Sequence, residues 1–296
     1  MTNLLDPAVL TRIADLELVA RSVVDGFVAG LHRSPRLGVS TDFAEHRAYA
    51  PGDDVRRVDW KLYARTDRYY VKEFEAETNA DVRVMLDVSR SMGYGSEGRP
   101  TKLDYARILA ASLLYFSQRQ RDRVALATYD DTVVDQVPAS ARHLPAALHA
   151  LSRARAGRHG SLATPAAMLA ESWRRRGITV LVSDLYEEPE AIVGALERLR
   201  GAGGDVIVFH LLDPAELEFG FDATASFQDM EGDETLPVVP SALRDRYRAL
   251  VRDHVAELGR RLAAAGMEYV MVDTSRPLDV VLFDYLAARE RLVATR

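Results

Sequence analysis

The chain has 296 residues, enough to bury one large core or two smaller ones, and its 48% hydrophobic and 28% charged residues are typical of a globular protein. It has no cysteine, which excludes disulfides, thiolate zinc sites and cysteine nucleophiles. The net charge of −6 argues against non-specific nucleic-acid binding. No basic and apolar leader opens the chain, and no apolar run approaches the roughly 20 residues of a membrane-spanning helix. We therefore expect a cytoplasmic protein without a membrane span.

The first 80 residues divide into a helix and a segment of different character. Apolar residues at helical spacing predict a helix from Pro7 to about Leu31, with Asp6 as its cap. The segment from Gly38 to Asn79 holds aromatic residues among balanced charges and predicts short strands and turns. We therefore predict that residues 1–80 form an N-terminal helix followed by a small β-rich module.

From residue 81 onwards, strands alternate with helices, which predicts parallel βαβ units with right-handed connections. The predicted strands run approximately over Val82–Asp87, Val124–Tyr129, Val133–Val137, Ile178–Ser183, Val206–Leu212 and Glu268–Val272. The predicted helices run approximately over Lys102–Gln118, His143–Ala154, Thr164–Arg175, Pro189–Arg200, Arg244–Ala265 and Pro277–Leu292. The stretch near 213–243 interrupts this pattern and indicates an inserted β-hairpin or excursion. Residues 81–296 are thus predicted to form a three-layer α/β domain with a Rossmann-like sheet.

The buried strand that ends at Asp87 is followed by two hydroxyls at alternate positions, Ser89 and Ser91. Such oxygens suit a hard cation such as Mg²⁺, and open α/β sheets bind ligands at the carboxyl ends of their strands. The strand from Ile178 also ends on a carboxylate, Asp184, and parallel neighbouring strands would bring it into the same crevice. The plainer interpretation is that Asp87 and Ser89 only satisfy backbone donors in a strand-to-helix turn.

The order of these groups along the chain resembles the metal-ion-dependent adhesion site of von Willebrand factor A domains. It runs from the motif Asp87-x-Ser89-x-Ser91 through a loop hydroxyl to the strand-terminal Asp184. The resemblance implies that the two serines bind Mg²⁺ directly, with Mn²⁺ or Ca²⁺ as substitutes, and that the aspartates bind largely through water. One coordination position then stays open for the carboxylate of a protein partner. This chain departs from the family in the loop, where His159-Gly160-Ser161 stands in place of the usual Gly-Gly-Thr. The loop hydroxyl is therefore assigned to Ser161, with Thr164 as substitute.

The N-terminal segment carries a narrower resemblance, in Tyr49–Lys61 and Val71–Glu75. It looks like the signature of the bacterial domain-of-unknown-function family 58, whose members join it to a von Willebrand A-like domain and often accompany MoxR-type AAA+ ATPases. The resemblance implies a non-enzymatic, Mg²⁺-dependent protein-interaction adaptor that works with such an ATPase in protein assembly or remodelling. From the residues alone, we predict that Pro51-Gly52 makes a turn and that the charges around it form an ion-pair network.

The competing functional class is an enzyme. A Mg²⁺-dependent hydrolase or phosphatase would use Asp87 or Asp184 for its chemistry. Phosphotransferases with a strand-end aspartate need a second aspartate two residues on, and Ser89 occupies that position here. The sequence therefore favours a protein that binds over one that catalyses. A structural protein with a vestigial site is a third interpretation.

Overall fold

The computed structural model describes residues 6–31, 46–48, 63, 68–72, 80–220, 225–228, 235–238 and 240–294. Its helices are α1 Pro7–Leu10, α2 Leu16–Leu31, α3 Lys102–Arg119, α4 Leu144–Arg153, α5 Ala163–Ser172, α6 Pro189–Gly201, α7 Pro214–Glu218, α8 Pro240–Ala264 and α9 Leu278–Ala294. Its strands are β1 His46–Ala48, β2 Tyr70–Lys72, β3 Asp81–Asp87, β4 Arg123–Tyr129, β5 Val133–Ser140, β6 Gly177–Ser183, β7 Gly204–Leu212, β8 Ala225–Gln228, β9 Thr235–Val238 and β10 Glu268–Asp273.

Six strands form the central sheet, in the order β10-β7-β6-β3-β4-β5. Five of them are parallel, and β5 pairs antiparallel with β4 at one edge. One core cluster packs α2, α3, α4 and α9 on one face, and a second packs α5, α6 and α8 on the other. Strands β3 and β6 are buried on both faces, which explains why apolar residues predominate in both. The predicted three-layer, Rossmann-like α/β sheet of von Willebrand A type is confirmed.

Strand β3 lies at the point where the direction of winding reverses. The chain proceeds from β3 to β4 and β5 on one side, and then returns to β6 on the other side. Leu86 of β3 is in register with Val182 of β6, so the two strands end side by side. A topological switch point of this kind leaves a crevice outside the carboxyl ends of the strands.

Two predicted helices differ from the observed ones for local reasons. The continuous helix from Pro7 is wrong, because the Asp15 carboxylate accepts hydrogen bonds from the N–H groups of Glu17 and Leu18 and starts a new helix at Leu16. The cap by Asp6 is confirmed. Helix α5 ends at Ser172, before the predicted Arg175. The carbonyls of Trp173 and Arg175 instead accept hydrogen bonds from the buried Arg83 guanidinium.

The N-terminal helix α2 packs against α3 and α9, within the same core cluster as the sheet. Strands β1 and β2 form a short antiparallel pair. The Pro51-Gly52 turn, its predicted ion-pair network and most of the surrounding signature lie outside the described residues. The division into residues 1–80 and 81–296 stays a prediction.

The segment after β7 holds the short helix α7 and the antiparallel pair β8 and β9. This pair agrees with the β-hairpin that the sequence indicates near 213–243. Across the described residues, no helix has the length and apolar character needed to cross a membrane.

Candidate metal centre

Asp87 ends β3 in the crevice at the switch point, with its carboxyl group held from three sides. Oδ1 accepts a hydrogen bond from the Ser89 N–H at 2.8 Å. Oδ2 accepts from the Ser183 hydroxyl of β6 at 2.6 Å, and the Tyr129 hydroxyl of β4 lies 3.5 Å away. The bond to Ser89 is the one that the plain turn interpretation predicts, but the contacts from β4 and β6 go beyond it. Asp87 is therefore fixed by the tertiary structure.

The two serines of the motif lie close together in the turn that follows. Ser89 and Ser91 are buried, and their Oγ atoms are 3.2 Å apart. A short 3-10 turn from Arg90 to Gly93 begins directly after Ser89 and keeps both hydroxyls near the end of β3. The Asp-x-Ser-x-Ser motif thus gathers a carboxyl group and two hydroxyls in one buried turn.

The loop expected to supply a third hydroxyl is bound to this turn by backbone hydrogen bonds. The Gly157 N–H donates to the Val88 carbonyl at 2.8 Å, and the Arg90 N–H donates to the Arg158 carbonyl at 2.7 Å. At Gly160 the loop approaches so closely that an added Cβ would lie 2.7 Å from the Ser89 Cβ. Only glycine allows this approach.

Ser161 follows Gly160 directly, and its N–H donates to the Asp130 carbonyl at 3.1 Å. Thr164 is exposed and lies inside the first turn of α5, whose N-cap residue is Leu162. The structure therefore brings the Ser161 loop to the motif. The choice of Ser161 over Thr164 as the ligand stays a prediction.

Asp184 follows β6 at the same edge of the sheet and carries a partner that sequence reasoning missed. The Lys102 ammonium donates to Asp184 Oδ2 at 2.8 Å and to Glu216 Oε1 at 2.6 Å. Lys102 is fully buried, and the ring of Tyr186 lies 4.8 Å from its Nζ. The only signal in the sequence was a cation at the first residue of a helix, where the helix dipole disfavours positive charge.

Glu216 reaches Lys102 because α7 begins with a capping box. The Asp213 carboxylate accepts from the Ala215 N–H, and the second oxygen of Glu216 accepts from the Asp213 N–H. Asp213 Oδ2 also accepts two hydrogen bonds from Ser96, in the loop after the motif. The start of α7 is thereby tied to both Lys102 and the motif loop.

The charges of the site are unevenly compensated. Burial, followed by the nearby charge of Asp184, raises the pKa of Asp87 to about 7. Burial favours the neutral amine of Lys102, but the charges of Asp184 and Glu216 outweigh burial and raise its pKa. Among the ion pairs of the described residues, Asp184 has the Lys102 ammonium and Asp87 has no cationic partner. The buried Asp87 carboxyl group therefore lacks a compensating positive charge among the described residues.

This arrangement fits a hard divalent cation. The described residues contain no group of three or more His, Cys, Asp or Glu side chains placed to hold a metal. The oxygens at the switch point come from two carboxylates and from serines, and Mg²⁺ accepts few carboxylates because it retains waters. The close Gly160 approach and the uncompensated Asp87 both agree with such a centre.

The fold and the site together define an α/β domain of von Willebrand A type with an Asp-x-Ser-x-Ser turn at its switch point. Residues 45–257 match the family described as "Protein of unknown function DUF58". The chain belongs to this family, as its N-terminal signature predicts.

Its relatives include uncharacterized proteins of Mycobacterium tuberculosis and Mycobacterium bovis. Each is 28% identical to this chain over 299 residues, an alignment that covers 98% of this chain and 90% of the relative. Among solved structures, the chain is similar to the conserved hypothetical protein BatB from Bacteroides thetaiotaomicron, with 16% identity, a TM-score of 0.48 and coverage of 73% of this chain and 99% of that chain. It is also similar to the SpRpn10 VWA domain, with 14% identity, a TM-score of 0.38 and coverage of 69% and 93%.

Proposed function

We propose that this protein is a non-enzymatic adaptor that binds Mg²⁺ at the carboxyl ends of β3 and β6 and uses it to capture a carboxylate of a protein partner. The ligands are Asp87, Ser89, Ser91, Ser161 and Asp184. The observation that carries the proposal is the buried Asp87 carboxyl group, which lies at the switch point without a cationic partner among the described residues. A bound divalent cation would supply the missing positive charge and would remain electrophilic towards one more carboxylate.

Each residue of the site has a defined part in this proposal. Ser89 and Ser91 offer adjacent hydroxyl oxygens, and the hydrogen bonds from Ser183 and Tyr129 hold Asp87 in position. Lys102 engages Oδ2 of Asp184, so we assign the other oxygen of that carboxylate to the metal shell. The Lys102 ammonium is shared by Asp184 and Glu216, so these three groups together with Asp87 carry a formal charge of −2. A bound divalent cation would bring that sum to zero and could still accept one more anionic ligand.

The family signature supports a MoxR-type AAA+ ATPase, or the client that it remodels, as the partner. The Lys102 ammonium is bound by two carboxylates, which raise its pKa and disfavour a role for it as nucleophile or base, and this supports binding over hydrolysis. A cytoplasmic location is part of the same proposal.

Metal binding is tested first on the isolated protein. Isothermal titration with Mg²⁺ should give a saturable heat for the wild type that is lost in Asp87→Asn and in Ser89→Ala. Asp131→Asn is the matched control, because Asp131 is exposed and lies just beyond the neighbouring strand β4. Equal binding by all four proteins would overturn the metal centre.

Partner capture is tested in the source cell. The tagged wild type should retain the MoxR-type ATPase in Mg²⁺ and lose it in chelator, and Asp87→Asn should lose it in both conditions. Capture that is unaffected by chelator and by Asp87→Asn would indicate a vestigial site. Mg²⁺-dependent turnover of a phosphoester that disappears in Asp87→Asn would indicate a hydrolase instead.

A further inference from the structure

A cavity of 250 Å³ lies beside the candidate metal centre, between the carboxyl ends of β6 and β7 and helix α8. Its walls include Tyr186, His210, Leu212, Tyr247, Leu250 and Val251. Tyr186 and Leu250 remain 48% and 61% exposed, so two large side chains at this cavity face solvent. Exposed side chains of this size around a concavity are typical of a recognition site.

The cavity adjoins the candidate metal centre at Tyr186. This residue follows Asp184 by two positions, so their Cα atoms are separated by at most roughly 7 Å. The Tyr186 ring also contacts the Lys102 ammonium, which binds the Asp184 carboxylate. A partner segment that reaches the metal centre would therefore pass the mouth of the cavity.

His210 gives the cavity a polar atom that lacks a partner. The side chain is completely buried in β7, and its Nδ1 lies 2.7 Å from the Tyr269 hydroxyl. The Asp184 backbone favours protonation of His210, but no described residue meets hydrogen-bond geometry with its Nε2. Burial and the nearby His254 lower the pKa of His210 to about 3, so the ring is neutral near pH 7. A buried nitrogen without a hydrogen bond costs stability, and a ligand that bonds to it would recover that loss.

We propose that this cavity binds the phenol side chain of a tyrosine in the same partner segment whose carboxylate reaches the metal. The inference rests on the proposed function and adds a tyrosine to the carboxylate as a second feature by which the partner would be recognised. An apolar cavity of about 150 Å³ already holds benzene, so 250 Å³ accommodates a phenol ring. The hydroxyl group both donates and accepts, so it can bond to Nε2 in either tautomer of His210.

The charges at the cavity disfavour an acidic occupant. Glu187 and Glu188 line the same cavity, so a second partner carboxylate would meet like charge there. An extended partner chain advances roughly 3.3 Å per residue, so the acidic residue and the tyrosine would be separated by about one to three residues.

The cavity is tested on the full chain with p-cresol, which mimics the tyrosine side chain, and with toluene, which lacks the hydroxyl. Ligand-observed NMR should show saturable binding of p-cresol, about fivefold tighter than toluene. Val251→Phe should abolish binding by filling the cavity, and Leu250→Ala should weaken it. Leu243→Ala is the matched control, because Leu243 is an exposed leucine of the same helix that does not line the cavity.

His210→Phe should remove the preference for p-cresol over toluene. If this variant does not fold, Val251→Phe still tests the site, because it leaves His210 and its bond to Tyr269 unchanged. Absence of p-cresol binding by the wild type, or equal binding by Val251→Phe, would overturn the proposal.

The link to the metal is tested with the acetylated peptide amide Gly-Asp-Gly-Gly-Tyr-Gly and with two relatives that carry Ala for Tyr or Asn for Asp. In Mg²⁺ the parent peptide should bind at least tenfold more tightly than either relative. Chelator should remove the gain in affinity that Asp confers and should leave the gain that Tyr confers. If p-cresol binds but the Asp peptide gains nothing from Mg²⁺, the carboxylate capture fails and the cavity remains as a separate site. If Asp confers a Mg²⁺-dependent gain and Tyr confers none, the cavity proposal fails and the metal centre remains.

Discussion

The Lys102 ammonium lies 2.8 Å from the Asp184 carboxylate, and both side chains are almost completely withdrawn from solvent. The same ammonium binds Glu216 at 2.6 Å. This buried cation joins the start of α3 to the end of β6 and to α7. Asp184 thus has a cationic partner, which it shares with Glu216, whereas Asp87 has none among the described ion pairs and is the aspartate at which we propose that the metal binds.

Replacement of Lys102 by Met should destabilise the metal-free protein by about 3 to 5 kcal/mol, because it leaves buried carboxylates without their cation. Mg²⁺ should then stabilise the variant more than it stabilises the wild type, since Asp184 would lack its resident ammonium. The measurement is the free energy of unfolding in urea with Mg²⁺ and with chelator. Arg248→Met is the control, because its ion pair with Glu218 is exposed and should contribute less than about 1 kcal/mol. Equal losses in the two variants would contradict this role of Lys102.

Asp87→Asn should be more stable than the wild type in chelator at pH 8. The pKa of Asp87 is raised from 3.8 in the unfolded state to about 7 in the folded state. As the pH rises from 3.8 to 7, the wild type therefore loses stability, because the folded state holds a proton that the unfolded state has released. The gain at pH 8 should reach about 2 to 4 kcal/mol and should shrink by roughly half at pH 5. The asparagine keeps the shape and can accept the Ser89 N–H. A variant less stable than the wild type at pH 8 would show that Asp87 ionises without cost.

His210 should make the protein sensitive to acid. Its pKa of about 3 in the folded state lies below the ordinary value of 6.5, so the unfolded state binds the proton first and stability falls as the pH drops below 6.5. The loss at pH 5 should be about 2 kcal/mol, and His210→Gln should lack it. The exposed His149→Gln serves as control and should follow the wild type. The readout is the difference in unfolding free energy between pH 7.5 and pH 5 for each protein. An identical pH dependence for His210→Gln and wild type would contradict the assignment.

Gly160→Ala should impair the metal centre, because the new Cβ would lie 2.7 Å from the Ser89 Cβ and force the loop away from the motif. We expect a loss of about 1 to 3 kcal/mol in stability and a weakened response to Mg²⁺ in calorimetry. Gly194→Ala is the matched control, since a Cβ there meets nothing within 4 Å and the helix should gain about 0.5 to 1 kcal/mol. If Gly160→Ala binds Mg²⁺ like the wild type, the close approach of the loop has no part in the site.

Local sequence patterns determined the order and type of the elements from residue 81 onwards. Apolar runs such as Val206–Phe209, continuous because both faces are buried, predict the central strands, and helical periodicity predicts α3 and α6 to within about two residues. The signal fails where one side chain overrides the period, as Asp15 does by capping a new helix after α1. The placement of Asp87, Ser89 and Ser91 at the end of a buried strand was also evident, because the motif and its strand are contiguous.

The partners of these side chains were decided only by the tertiary structure. Ser183 is 96 residues from Asp87, and Glu216 is 114 residues from Lys102, so no local pattern links them. Parallel strands are joined by long crossovers, and the order of the strands in the sheet determines which strand ends become neighbours. The sequence by itself therefore specified a strand-terminal oxygen cluster. Folding of the whole sheet decided that Asp184 would pair with a buried ammonium and that Asp87 would not.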